Sequence, residues 1–470
     1  MGHAALSLAR FSAGLRFADL PPQVVESARR HLLDTFGVAI RGRAHGNASA
    51  SLQALEGTDG AAGAIAVWGT GRRLAAGYAA MANGIAAHAL DFDDTHTDSI
   101  VHGSAIIAPV VMALGESRNA GGEDLVCAFV AGWEAAARVG LASRGTFHKR
   151  GFHTTSIAGV FGAVIAAARL LGLDAERTAH AIGLAGSQAC GINEYLSNSS
   201  SAKCVHTGWS AHAGIVSATL AQAGMTGPMS VFEGRDGILR AYGLPEECDV
   251  AALDADLGTR WEATRISIKP YPCCHFAHAF VDCVGALLAK GVAAADIRQL
   301  HCVVPEIELP LICEPFAEKL KPTSPYAAKF SLPFLLAARI ADGGIDHRTF
   351  EPAKLARKDL LELAARVTYR VAAPGETPFP RTFPGWVEAT LADGSQRIER
   401  LDINRGHPDN PLTLDEVAAK FRDNGAEVLG DAGVERVVSL VSALPQAAPA
   451  ELARALAATH VSQINRRKIP

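Results

Sequence analysis

The sequence predicts a mostly α protein with an α+β second domain, and three observations carry that expectation. From Pro21 to about Gly243, apolar residues recur at helical spacing in one segment after another. Near Thr259 the pattern turns to short β-type runs, and after about Asn410 it returns to helix. The expected organisation is a large helical domain in two pieces, 1–262 and 405–470, around a smaller α+β domain at 263–404. A chain of 470 residues that is 49% hydrophobic can bury two cores of that kind.

Each element follows from its own stretch. "MGHAALSLARFSAGLRF" lacks a continuous apolar run and a clear cleavage site, so it reads as a first helix; Arg10 and Arg16 leave an organellar transit peptide as the alternative. "PPQVVESARRHLLDTFGVAI" opens with prolines that suit a first helical turn. "GEDLVCAFVAGWEAAARVGLAS", "DAERTAHAIGLAGSQA" with Asp174 as N-cap, and "HTGWSAHAGIVSATLAQAG" continue the helices, and their alanines and glycines predict close packing. "SIAGVFGAVIAAARLLGL" meets Arg169 before it reaches the roughly 18 apolar residues of a membrane span, so it is expected to be a buried helix. The β-type runs are "RISIKPYP", "LHCVVPEIELPLI", "ARVTYRVA" and "GWVEATLADGSQRIERLDI", the last a hairpin turning at Asp393-Gly394. Helices "AHAFVDCVGALLAKG" and "YAAKFSLPFLLAARIADGG" lie between them, and "LTLDEVAAKFRDNG" and "AELARALAA" close the chain.

Composition narrows the function. A net charge of −4 with interspersed signs offers neither a basic tract for nucleic acid nor a polybasic membrane patch, which leaves small-molecule chemistry. Nine cysteines, an odd number without CxxC spacing, argue against a disulfide framework and a zinc ribbon, and point to a reducing, cytoplasmic setting.

Polar clusters interrupt the apolar background at a few places. "HALDFDDTHTDSIVHGS" is the densest; if its first part is a helix ending near the aspartates, His88, Asp91 and Thr95 share a face at i, i+3 and i+7. Asp93 and Asp94 then point elsewhere, to cap the following helix, and Asp98 is solvated. The other clusters are "GFHTTS" around His153, "SSSAKCVHTG" around Lys203 and His206, and "IKPYPCCHFAH" around Lys269, His275 and His278. Each sets a cation or an imidazole near the start of an apolar helix, a setting that favours carboxylates and acid–base work. "DDTHTD" approaches the Asp-rich element of Mg²⁺-dependent diphosphate enzymes, but its spacing is off by one and no second element follows. Neither HExxH nor paired CxxC appears, so no metal is expected.

"NGIAAHALDFDDTH", "HGSAIIAPVVMALGE", "GFHTTSIAGVFGAVIAAARLLGL", "SSSAKCVHTGWSAHAG", "FEGRDGIL" and "KPYPCCHFAHAFVD" occur in that order. Together they resemble the 2-methylcitrate dehydratase (MmgE/PrpD) family, which includes cis-aconitate decarboxylase and iminodisuccinate epimerase, over nearly the whole chain. The resemblance implies a large all-helical domain, an inserted α+β lid domain, an active site in the cleft between them, a homodimer, and no metal or organic cofactor. It implies catalytic roles for Asp91, His102, His153, Lys203 and Lys269, and substrate binding by Thr95 and by His275 or His278. Two departures stand out: the segment from Thr95 to His102 is one residue longer than in the decarboxylase, and Phe334 stands where that enzyme has tyrosine.

The chemistry so implied is proton abstraction alpha to a carboxylate. Lys203 and Lys269 would hold substrate carboxylates and the developing charge, while His102 and His153 move protons. Asp91 would orient an imidazole or act as base, and Thr95 would fix substrate through its hydroxyl. The expected function is a cofactor-independent carbon–oxygen lyase, a hydro-lyase acting on a di- or tricarboxylate of the 2-methylcitrate or citrate type. Decarboxylation of cis-aconitate or epimerisation of iminodisuccinate uses the same intermediate. From other classes, a non-catalytic dicarboxylate-binding member and a Mg²⁺-dependent diphosphate enzyme are the alternatives.

Overall fold

The computed structural model describes residues 3–44, 46–198, 200–379 and 381–459. The chain divides into two compact units, Met1–Ile268 with Thr413–Pro470, and Lys269–Leu412. The first change of unit falls a few residues later than the 262/263 step read from composition, because Ser27 Oγ donates to Ala263 O and Ser267 pairs by backbone with Thr95. The second falls later than 404/405, as the turn at His407–Asn410 bonds back to Asn404 and Ile403.

Helices build the first unit. Those at Pro22–Arg43, Ala76–His88, Ser104–Arg118, Gly122–Ser143, Thr154–Leu170 and Ala202–Gln222 surround its core. The Thr154–Leu170 helix is apolar all round, and every side chain from Thr154 to Ala168 is buried, as a central helix requires. Gly122–Ser143 is long and apolar enough to cross a membrane by length and composition, yet 94% of its apolar window is buried inside the protein. Asp174 caps Ala175–Gly186 by accepting from Arg177 N at 2.8 Å, as its position in the sequence predicts.

One helix pair is set by its glycines. A Cβ on Gly208 would lie 2.5 Å from Met81 O, and one on Gly84 would lie 3.1 Å from Gly208 Cα. Ala76–His88 and Ala202–Gln222 therefore approach backbone to backbone, sealed by Thr207 Oγ1 donating to Gly84 O at 2.9 Å.

Two expectations about this unit need correction. The stretch read as helix after helix also contains an antiparallel hairpin, β1 (Ala62–Ala66) and β2 (Arg73–Leu74), turned by Gly69 and Gly71 at positive φ. The helix expected to run into the aspartates stops at His88, with Ala89 as its C-cap. Asp91 then adopts φ 57°, so His88, Asp91 and Thr95 do not share a helix face.

The second unit is α+β. Its sheet has the order β4-β3-β5-β6, from β3 (Ile297–Val304), β4 (Val367–Val371), β5 (Gly385–Leu391) and β6 (Gln396–Leu401). β3 and β4 are parallel and the other pairs antiparallel. The β5–β6 hairpin turns at Asp393-Gly394, where Gly394 takes φ 83° and Asp393 Oδ1 accepts from Ser395 N. "RISIKPYP" is not a strand; Ser267 makes one isolated bridge to Thr95, and Pro270 and Pro272 supply no ladder donors. Helices His278–Ala289 and Leu332–Asp342 complete this core, where Phe334 is wholly buried.

Candidate active site

The first unit brings Asp91, Thr95, His102, His153 and Lys203 together. The segment from Leu90 to Thr95 leaves the Ala76–His88 helix as a loop held from several sides. Asp93 Oδ2 accepts from His88 Nδ1 at 2.6 Å, and Asp94 Oδ2 accepts from His31 Nδ1 at 2.7 Å, all four side chains being buried. Asp94 Oδ1 also accepts from Ser104 N at 3.3 Å, so it does cap the following helix, while Thr95 exchanges two backbone bonds with Ser267. Asp98, by contrast, is exposed and pairs with Arg265 at 3.3 Å.

Asp91 is the strained member. A non-glycine residue in the left-handed region costs on the order of 1 kcal/mol or more and persists only where its surroundings impose it. Its carboxylate accepts from Lys203 Nζ at 2.6 Å, both side chains being only partly exposed. Lys203 lies in the first turn of Ala202–Gln222, so the close glycine contact of that helix with Ala76–His88 sets where the pair meets.

The six residues between Thr95 and His102 close into a small loop. His96 and Val101 exchange backbone bonds at 2.8 and 3.3 Å around a short turn, with Ile100 at φ 57°. His102 Nδ1 lies 2.8 Å from Asp94 O and 3.0 Å from Thr95 Oγ1. A carbonyl only accepts, so Nδ1 carries the hydrogen and Nε2 is the basic nitrogen of the neutral ring.

His153 is the N-cap residue of Thr154–Leu170, and its backbone N donates to Gly191 O at 3.0 Å. Its Nδ1 lies 3.0 Å from His206 Nδ1, so one of the two carries the shared hydrogen. Burial first, then the neighbouring His88, Lys203, His206 and His102, hold His153 well below the ordinary imidazole range. Burial, His88 and Lys203 likewise bring His206 down to about 4. Both rings are therefore neutral near pH 7.

His88 links the two proton carriers. Its ring centroid stands 5.1 Å from that of His102 and 5.7 Å from that of His153, and Tyr195 stands edge-on to His153 and His206. Of the further site residues, His88 and His206 belong to polar clusters of the sequence without an assigned catalytic role, whereas nothing in the sequence singles out Tyr195. His206 carries a signal, lying one turn after Lys203.

One ligand atom each from His88, Asp93 and His102 lies within 4.8 Å of the others, a spacing open to a metal ion. Hydrogen bonds engage the Nδ1 atom of each ring. His88 Nδ1 is joined to Asp93, and His102 Nδ1 bears the hydrogen given to Asp94 O. Each ring gives its hydrogen from Nδ1 and keeps Nε2 as the basic nitrogen, a tautomer that serves proton transfer and equally leaves Nε2 able to ligate a metal.

Lys269, His275 and His278 lie in the second unit and are buried there. His275 Nε2 accepts from Asn404 Nδ2 at 3.0 Å. His278 is fully enclosed, and its Nε2 donates to Cys273 O at 3.2 Å, which braces the turn after Lys269. Of the two histidines, His275 keeps a little exposure, 8% against 0% for His278.

Residues 6–251 match the MmgE/PrpD N-terminal domain, and residues 271–445 match the MmgE/PrpD C-terminal domain. The cis-aconitate decarboxylase of Homo sapiens is 27% identical over 440 residues, spanning 92% of this chain and 89% of its own. That of Mus musculus is 28% identical over 460 residues, spanning 93% of this chain and 90% of its own. That of Aspergillus terreus is 26% identical over 456 residues, spanning 93% and 92%. With both domain matches in order along one chain, this protein belongs to the MmgE/PrpD family.

Proposed function

We propose that this protein is a lyase that removes a proton alpha to a carboxylate of a di- or tricarboxylate substrate, using its own side chains. The observation that carries this reading is the Asp91–Lys203 pair beside two neutral imidazoles, the buried His153 and the half-buried His206. A carbon acid next to a carboxylate needs a neutral base and a fixed positive charge where the enediolate develops. Lys203 supplies the charge, with Asp91 holding its ammonium in place. His153 takes the proton, and His206 at 3.0 Å can share it. His102, with Nδ1–H anchored on Asp94 O, gives or takes a second proton at Nε2. Thr95, hydrogen-bonded to His102, orients substrate through its hydroxyl. Lys269 and His275 are assigned to the substrate's remaining carboxylates on the family resemblance alone.

Loss of hydroxide from the intermediate gives a dehydratase of the 2-methylcitrate or citrate type, which is the first reading. The second is decarboxylation of a cis-aconitate-like acid, in which CO₂ leaves in place of the proton and a site imidazole protonates the carbon that keeps the electron pair; the relatives named above favour it. We extend the proposal to a cytoplasmic homodimer, which light scattering would test. For the reaction, the purified protein is incubated with 2-methylcitrate, citrate, cis-aconitate and iminodisuccinate, with and without EDTA, while alkene absorbance, CO₂ and chirality are followed. Turnover of one substrate, undiminished by EDTA, is expected. Turnover of none overturns the substrate class; acids that raise the thermal midpoint yet are recovered unchanged indicate a binding protein instead.

A further inference from the structure

We infer that Lys420 and Asp34 form a buried post that positions Asp91. The inference rests on the proposed role of Asp91, but its geometry is independent of any substrate.

Lys420 comes from the Leu414–Ser442 helix, more than 300 residues along the chain from the loop it touches. Its Nζ pairs with Asp34 Oδ1 at 2.6 Å, donates to Phe92 O at 3.2 Å, and stands 3.7 Å from the centroid of the Phe92 ring. One ammonium thus grips both the ring and the carbonyl of the residue that follows Asp91. Phe92 also packs with Val38 and Leu90.

The support is concentrated on one helix face. His31, Asp34 and Val38 fall at i, i+3 and i+7 on Pro22–Arg43, and they engage Asp94, Lys420 and Phe92 respectively. The loop is therefore fixed at residues 92 and 94, which leaves Asp91 to take up the left-handed turn between this clamp and the end of the Ala76–His88 helix.

A buried ion pair contributes little net stability, because desolvation offsets the attraction. Burial in fact pushes Asp34 up to about 6, with Lys420 only partly opposing it. An apolar pair in this place would hold the fold as well, yet it could not grip the Phe92 carbonyl. The post is a positioning device, and neither residue is catalytic.

The test compares wild type with the double variant Asp34→Asn/Lys420→Met, which leaves no lone buried charge. Hydrogen exchange of peptides covering residues 89–96 is measured beside peptides from Thr154–Leu170, together with the thermal midpoint, kcat and KM. The inference predicts a midpoint near that of wild type, exchange at 89–96 faster by roughly tenfold, and unchanged exchange in the central helix. It also predicts that kcat falls roughly fivefold or more while KM moves less than about twofold. Unchanged exchange at 89–96 in the folded variant overturns it. So does faster exchange throughout the first unit with unaltered kcat, the mark of a merely structural pair. If the double variant does not fold, Phe92→Leu, which keeps the apolar packing but removes the ring beneath the cation, is expected to loosen the same segment alone; no loosening there overturns the inference. Because exchange is read without substrate, local loosening in an enzyme that turns over none of the tested acids would leave the post standing and remove the functional reading instead.

Discussion

His153 concentrates the chemistry in one ring. Burial first, then its charged and imidazole neighbours, hold its pKa well below the ordinary imidazole range, so a reaction that needs it as base should keep its acid limb low. The acid limb of wild-type kcat/KM is expected to lie below the ordinary imidazole range near 6.5; a break at or above 6.5 would remove His153 from the base role. The sign for stability is the same. A histidine whose folded value is depressed contributes stability that is complete above about 6.5 and is lost as pH falls. His153→Ala and Lys203→Ala are each expected to lower kcat/KM roughly tenfold or more with the fold intact by circular dichroism. Near-normal activity in either would exclude that residue. At this scale the residue types were readable in advance, since Asp91, His153 and Lys203 interrupt alanine- and glycine-rich stretches. Their geometry was not. Nothing in Leu90-Asp91-Phe92 announces a positive φ, and the partners that impose it lie far away in the chain, as His31 lies 63 residues from Asp94.

Among elements, the contact between Ala76–His88 and Ala202–Gln222 decides where Lys203 meets Asp91. Gly208→Ala would drive a Cβ to within 2.5 Å of Met81 O and spread the two helices. A loss of about 1–3 kcal/mol in chemical denaturation is expected, with a drop in activity larger than the folded fraction explains; a stable, fully active Gly208→Ala protein would contradict this account of the pair. The turn after β3 carries a different liability. Glu308 is buried, neither carboxylate oxygen has a hydrogen-bond partner among the described residues, and burial pushes it up to about 9. A carboxyl raised in the folded state contributes stability that is complete below about 4.5 and lost as pH rises toward 9. The stability of Glu308→Gln relative to wild type should therefore grow steadily from pH 5 to pH 9, and a constant difference would show that Glu308 is solvated. Long apolar helices such as Thr154–Leu170 were legible in the sequence, as was the Asp393-Gly394 turn. The β1–β2 hairpin was not, because "AGAIAVWGTGRRL" is as alanine- and glycine-rich as the helices around it.

For the molecule as a whole, the order helical, α+β, helical follows from the sequence because the two kinds of periodicity change at the unit boundaries. What the returning C-terminal segment does was hidden. Lys420 reads as an ordinary charge on an amphipathic helix, yet it is buried against Asp34 and Phe92. The central claim, proton removal alpha to a carboxylate by His153 with Lys203 holding the charge, is tested most directly by isotope transfer. The EDTA-treated enzyme is incubated in D₂O with the polycarboxylate panel, and deuterium at the alpha carbon of substrate or product is followed by NMR for wild type and His153→Ala. The account predicts deuterium incorporation by wild type and its loss in His153→Ala. Incorporation that survives the substitution, or none with any acid of the panel, would contradict it.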